Sequence, residues 1–598
     1  MPLALEDFHL RGRADASRQQ VTATFVHHHR CTALQETKDI PPVGERALKT
    51  MAWIVSLLCL APIVAVAVTA ASGTLDTWNS LMATVLPRYA WTTVKLVVLV
   101  GFGAAAVGTA TAWLVTTCAF PLRRTFEIML ALPLAFPAYV LAYAYTDLLD
   151  HPGAVQTALR AITGWGPRDY WFPEIRSLGG AAAMLVFVLY PYVYLLARAA
   201  FLKQSPTAYF AARTLGHTPW SAFWRVSLPM ARPAIAGGVI LALMETIADF
   251  GTVAHFGVQT FATGIYSAWF SMGDRMAASQ LALCLLAVAL AFALLERAQR
   301  GAAKRFPAGS RNETMERHPL KGWRAAAAFA ACALPVAVGF AIPLVVLFDM
   351  AVDAGRSPFS GRYLGFVENS LILATVTALV TVAGAIVIGF CARIAPSLAA
   401  RFSAAAAGIG YAVPGGVIAV GLLVPFAALD NTIDAWARAN FDVSTGLLFT
   451  GSIGLLVVAY MVRFIAAALG AFDTGISAIK PNIDAAARTL GRGSGRMLFE
   501  IHLPLLRPSL LTALLIVFVD VMKELPATLI MRPFNFDTLA VQAYRLASDE
   551  RLQQAALPSL MIVGFGLLPV VLLCHTIGRS SQPRKIIRPR ADALLPSA

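Results

Sequence analysis

Ala211-Ala212-Arg213-Thr214-Leu215-Gly216, followed by Leu228-Pro229 and Arg232-Pro233, returns 275 residues later as Ala486-Ala487-Arg488-Thr489-Leu490-Gly491, followed by Leu503-Pro504 and Arg507-Pro508. The spacing is the same in both copies and needs no gap. A period of this length is too long for a solenoid repeat and fits a duplicated domain. Each copy opens as a short helix of small and unbranched residues closed by a glycine, Gly216 or Gly491, the residue favoured just past a helix end. Thr218-Pro219 then supplies an N-cap and a first-turn proline for a second short helix. Gly493-Ser494 takes that place in the second copy. Leu228-Pro229 is expected to stop the second helix, with Pro233 opening the apolar run that follows. The paired alanines let a partner's backbone come close, and Arg213 and Arg488 offer forked donors.

The chain around these polar loops is very apolar. Of its 598 residues 58% are hydrophobic and 14% charged, with a mean hydropathy of +0.67. Soluble domains carry about 25% charged residues, so a membrane protein is expected. Crossing about 30 Å of hydrocarbon takes roughly 20 apolar residues. Twelve runs qualify, near 51–72, 90–117, 126–148, 178–202, 233–256, 277–296, 324–350, 367–392, 403–428, 446–472, 507–531 and 555–577. Six fall in each half. The expected fold is an all-α membrane protein of two six-helix repeats, over 51–296 and 324–577, each carrying one copy of the loop. Residues 1–50 form an N-terminal extension, 297–323 a basic linker and 578–598 a tail. Because an even number of spans precedes the linker, both repeats enter the membrane in the same direction, related by an axis along the membrane normal.

The net charge of +15 gathers on the segments that face the cytoplasm when the N-terminus is inside. That is the positive-inside pattern, and it removes the reason to expect nucleic acid. Both termini, the linker and the two repeated loops are then cytoplasmic, while 149–177 and 533–554 are outside and long enough to dock a partner. The seven cysteines form no CxxC pair and lie mostly in or beside apolar runs, so neither a disulfide framework nor a thiolate metal site is expected. His27-His28-His29 sits in the polar extension and reads as unstructured surface rather than a metal site. No Gly-x4-Gly-Lys-Ser/Thr phosphate loop occurs, so the chain is not expected to hydrolyse ATP, and its energy has to arrive through a partner.

The pattern of small residue, Ala-Ala, three residues, Gly, nine residues, Ile or Val, one residue, Leu-Pro resembles the EAA loop of binding-protein-dependent ABC importer permeases. In the first copy it runs through Phe210, Ala211, Ala212, Arg213, Gly216, Val226, Leu228 and Pro229. In the second it runs through Ala485, Ala486, Ala487, Arg488, Gly491, Ile501, Leu503 and Pro504. Both copies lack that motif's leading Glu, and Asp484, one position earlier, is the candidate substitute in the second. The resemblance implies two copies of an ABC ATPase docked on the loops, with ATP and Mg bound there rather than in this chain. It also implies a periplasmic binding protein outside and a place in the bacterial inner membrane. The stretches Glu245-Thr246-Ile247-Ala248-Asp249-Phe250-Gly251-Thr252 and Asp520-Val521-Met522-Lys523-Glu524-Leu525-Pro526-Ala527-Thr528 resemble the fused ferric-iron permeases in particular. Thiamine and phosphonate permeases share the general plan. An ion-gradient-driven secondary transporter is the alternative from another class.

The repeat maps Glu245 onto Asp520 and Asp249 onto Glu524. Each half thus places two carboxylates four residues apart, on one face of a helical span. A carboxylate in the hydrocarbon costs about 2.5–3.5 kcal/mol on insertion scales and normally faces a cavity or a partner. Two readings stay open. The four carboxylates converge on a pathway for a hard cation, which prefers oxygen ligands, or they form a structural ion-pair network with Lys523, Arg463 or Lys95.

Overall fold

A computed structural model describes residues 43–73, 75–204, 206–303, 317–355 and 360–580. His27-His28-His29, most of the N-terminal extension, much of the linker and nearly all of the tail lie outside these residues. In hydrocarbon every backbone N–H and C=O needs an internal partner, and the apolar runs meet that demand as helices. Eleven helices among the described residues are long and apolar enough to cross a membrane. A twelfth crossing arises if Arg123–Ala135 and Ala138–Thr163, bent by 92°, count as one. The first helix begins at Val43, so it takes in the end of the expected extension.

The duplication is visible helix by helix. Leu86–Thr117 is matched by Gly361–Ile394, Leu178–Lys203 by Ile453–Ser477, and Pro206–Thr214 by Pro481–Thr489. Even a single π-helical turn recurs at the same offset, Phe223–Ser227 and Leu498–His502.

Four of the expected spans are not continuous. The run at 126–148 bends where Pro137 follows Phe136, and that at 403–428 breaks where Pro414 follows Val413. Both residues ahead of the prolines are extended, at φ −86°, ψ 129° and φ −78°, ψ 119°. The proline ring disfavours helical backbone in the residue before it. The runs at 233–256 and 507–531 break after Ala248 and Met522, and short helices restart at Gly251–His255 and Pro526–Met531. Conversely, Leu228-Pro229 does not stop a helix. Trp220–Ala248 is continuous, with Pro229 and Pro233 inside it. Pro229 has no N–H and its ring would strike the carbonyl four residues back. The preceding turn widens to π, with the Leu228 N–H reaching the Phe223 carbonyl. The second copy does the same, Leu503 reaching Leu498.

The two repeats are interleaved. The first helix, Val43–Ala71, packs on Gly415–Phe441 and Leu398–Ile409 of the second repeat, while Ile342–Asp353 reaches Ala138–Leu149 of the first. Two close approaches between the repeats need a glycine. A Cβ on Gly421 would lie 2.9 Å from the Pro62 carbonyl carbon, and one on Gly339 would lie 2.6 Å from the Phe187 carbonyl oxygen. On the face carrying the expected outside loops, Arg176 bonds both Glu550 oxygens at 2.8 and 2.9 Å and Asp150 at 3.1 Å, joining loops of the two repeats. The Arg176 guanidinium holds the Glu550 carboxyl below its ordinary value. The pair therefore contributes above the free carboxylate pKa and is lost as pH falls through the lowered one.

Gly421→Ala should destabilise the protein by about 1–3 kcal/mol, since the obstacle is backbone that cannot rotate away. The check is thermal unfolding in detergent; an unchanged midpoint would mean that the repeats are not pressed together at Pro62.

Candidate functional site

Two places collect the residues singled out above. The first is the pair of repeated loops. Each short helix ends in a Schellman turn. In the first copy the Gly216 N–H meets the Arg213 carbonyl and the His217 N–H meets Ala212; in the second, Gly491 meets Arg488 and Arg492 meets Ala487. Gly216 and Gly491 adopt φ +86° and +72°, the left-handed conformation this turn needs. Thr218 Oγ1 caps the next helix by accepting from the Ser221 N–H at 3.2 Å.

Ala212 and Ala487 are buried, whereas Ala211, Ala485 and Ala486 are exposed. Arg213 folds back on the His217 carbonyl at 2.8 Å, and Arg488 reaches the Ile394 carbonyl at 3.3 Å. Leu228 and Leu503 are half-buried at the π turns. The side chain of Phe210 lies outside the described atoms. Two residues of the repeat that carry no polar signal stand out instead. Leu215 and Leu490, just before the turning glycines, are 80% and 78% exposed. The same apolar side chain is thus held out at the equivalent position of both copies.

Asp484 is not a free acidic contact. Its carboxylate accepts from Arg393 Nε at 2.7 Å and lies 3.0 Å from His502 Nε2, with the side chain only 13% exposed. It ties its loop helix to the end of Gly361–Ile394. Tyr209 occupies the same position in the first copy, and its hydroxyl meets His318 Nε2 at 2.6 Å. His318 belongs to a two-residue strand pairing with Cys118–Ala119. Arg393 and His318 are invisible to motif reading because they act from distant elements, and His502, between Ile501 and Leu503 of the second copy, is not one of the motif's own positions.

The second place is a cavity of about 100 Å³ between the repeats, lined by Glu245, Asp249, Asp520, Lys523, Glu524 and Arg463 among apolar and aromatic walls. The carboxylates do not share one helical face. Asp249 and Glu524 sit in the breaks, where each takes up N–H groups of the restarting helix. Asp249 accepts from the Thr252 N–H at 3.1 Å, the Val253 N–H at 3.2 Å and the Thr252 hydroxyl at 2.9 Å. Glu524 accepts from the Ala527 N–H at 3.1 Å, the Thr528 N–H at 3.4 Å and the Tyr460 hydroxyl at 3.0 Å.

Arg463 reaches Glu524 at 3.3 Å within its own repeat and Glu245 of the other repeat at 3.9 Å. Tyr411 adds a 3.1 Å bond to Glu245. Lys523 pairs with Asp520 at 2.9 Å. Gly415 makes room for the Arg463–Glu524 pair, since a Cβ there would strike both side chains. Lys95 lies over the Trp91 ring, 5.1 Å from its centroid. Among the described residues no three His, Cys, Asp or Glu side chains come close enough together to hold a metal ion. The carboxylates are therefore spread around the cavity rather than gathered into a cage.

Comparison with known proteins bears on what such an arrangement does. Residues 98–306 match the family model described as binding-protein-dependent transport system inner membrane component. That segment is similar to this permease family. The Fe(3+)-transport system permease protein FbpB 2 of Haemophilus influenzae is 23% identical over 487 residues, 80% of this chain and 88% of that protein. The molybdenum transport system permease protein ModB of Escherichia coli is 27% identical over 189 residues, 30% of this chain and 77% of its own. The sulfate transport system permease protein CysT of Synechocystis is 26% identical over 210 residues, 34% and 70% respectively. The eleven or twelve long apolar helices among the described residues fit a multi-pass membrane protein, and these relatives are named as transport system permease proteins.

Asp484→Ala should lower stability by about 1–3 kcal/mol, because Arg393 and His502 lose their acceptor inside the protein. Asp484→Asn, which keeps an acceptor, should cost less. Equal unfolding midpoints for the two variants and wild type would remove the anchoring role.

Proposed function

We propose that this chain is the membrane subunit of a binding-protein-dependent ABC importer that moves ferric iron into the cytoplasm. ATP is hydrolysed, with Mg, on two copies of a separate ATPase docked at the repeated loops, and a periplasmic binding protein delivers the substrate. The observation that carries the transporter class is the doubled Schellman turn with Leu215 and Leu490 held out at equivalent positions. Burying such a leucine in a partner's groove is worth about 1.5–3 kcal/mol. A secondary transporter has no use for two matching cytoplasmic knobs.

The cavity and the relatives together support the iron reading. Four carboxylates face two cations, an excess of two negative charges when all are ionised. That excess suits a cation, and it fits the long match to an Fe(3+) permease. Arg463 and Lys523 favour a second reading, an oxyanion, as do the molybdenum and sulfate permeases among the relatives. The surrounding carboxylates oppose it, because an oxyanion would face four like charges at low dielectric.

Cells carrying this chain with its partner subunits should accumulate radioactive iron from ferric citrate but not radioactive molybdate or sulfate; the reverse would overturn the iron reading. Leu215→Ser and Leu490→Ser should leave the unfolding midpoint unchanged while weakening ATPase binding roughly tenfold or more. Unchanged binding in both variants would remove the loops as docking points. Orientation is tested with cysteines introduced at Trp171 and Asn535, exposed positions in the two expected outside loops. Both should react with an impermeant thiol reagent in intact spheroplasts, and labelling that requires permeabilised membranes would reverse the topology.

A further inference from the structure

The carboxylates of the cavity are duplicated, but its cations are not. Glu245 and Asp249 recur as Asp520 and Glu524, whereas the positions matching Arg463 and Lys523 in the first repeat are Val188 and Ala248. All four of those first- and second-repeat positions line the same cavity. The second repeat therefore supplies both positive charges, and Glu245 borrows Arg463 across the interface at 3.9 Å. Asp249 has hydroxyl and backbone N–H donors in place of a cation.

We propose that Lys523 and Arg463 are resident stand-ins for the substrate cation: they neutralise the carboxylates while the cavity is empty, yield when the ion enters, and return to expel it. The proposal rests on the cation reading given above. An empty membrane cavity with four unpaired carboxylates would be costly, and a polyvalent ion bound to all of them would not leave. Conduction needs binding strong enough to admit the ion and weak enough to release it. A tethered monovalent cation meets both conditions, because it competes for the carboxylates without diffusing away.

The geometry suits this use. Lys523 lies on the residue where the helix stops, with its Nζ 2.9 Å from Asp520 on a flexible four-carbon stem. Arg463 is shared between Glu524 at 3.3 Å and Glu245 at 3.9 Å, so the longer contact is the one that crosses between repeats. An ion that displaced the guanidinium from Glu245 would leave it held by Glu524 in its own repeat.

The test uses the full chain in lipid nanodiscs, loaded with ferric citrate, washed, and followed for retained iron by mass spectrometry. Lys523→Gln and Arg463→Gln should release iron roughly tenfold or more slowly than wild type, since each loses a competing charge at close range. Lys523→Arg keeps the charge and should release iron at the wild-type rate. A variant that merely folds badly would hold less iron, the opposite result. Release at the wild-type rate in both Gln variants, with wild-type cells importing iron, overturns the stand-in role and leaves the cation reading in place. Import of molybdate or sulfate instead of iron by wild-type cells overturns the cation reading itself, and the stand-in role with it.

Discussion

A helix broken inside a membrane frees N–H groups that have no water to meet. Everything distinctive about the centre of this protein follows from that constraint. Each repeat interrupts its apolar run, after Ala248 and after Met522, and at each break a carboxylate takes up the freed donors, Asp249 in one repeat and Glu524 in the other. A carboxylate placed there brings its charge with it. Glu524 then requires Arg463 and Tyr460, and Arg463, once present, is in reach of Glu245 across the interface. The charged cavity is thus built around a backbone problem and its local solution.

The two repeats kept this solution and diverged around it. Where Glu524 has Tyr460 and Arg463, the corresponding first-repeat positions are Leu185 and Val188. Where Asp484 holds the second loop helix through Arg393 and His502, Tyr209 holds the first through His318 at the end of the linker. Backbone geometry is conserved between the copies down to a π turn, while the buried polar ties are rebuilt from different residues. Duplicated backbone with unlike charge gives the cavity one cationic wall, which a symmetric pair of subunits would not provide.

The repeated loop, its glycine turns and the apolar spans were legible in the sequence because each rests on local chemistry: propensity, capping and run length. The helix breaks were not. Hydropathy summed over a run at 233–256 or 507–531 stays high whether the backbone continues or stops, and the carboxylate spacing of four residues reads as a helical face when it is in fact a break followed by a cap. Pro137 and Pro414 did carry a signal, since the residue before a proline resists helix. Pro229 carried a misleading one, because the π turn that accommodates it has no sequence mark of its own. Arg393, His502 and Leu215 were missed for two different reasons. The first two act on Asp484 from other elements, and a leucine among leucines becomes informative only when its exposure is known.

The continuous helix from loop to cavity gives a physical route between them. Trp220–Ala248 and Ser494–Met522 are each 29 residues long, about 44 Å at 1.5 Å per residue. Each carries the exposed loop at one end and the first of its two carboxylates, Glu245 or Asp520, near the other. A shift of the loop moves that carboxylate as one body with the helix, whereas Asp249 and Glu524 lie beyond the break and are held by the restarting helix. Motion at the loops would therefore change the spacing between the carboxylates of a pair. Glu245 would be drawn toward or away from Arg463, whose own helix, Ile453–Ser477, ends next to the second loop. The break that the backbone chemistry has to cap is then also the joint at which movement of the loops becomes a change in the charges facing the cavity.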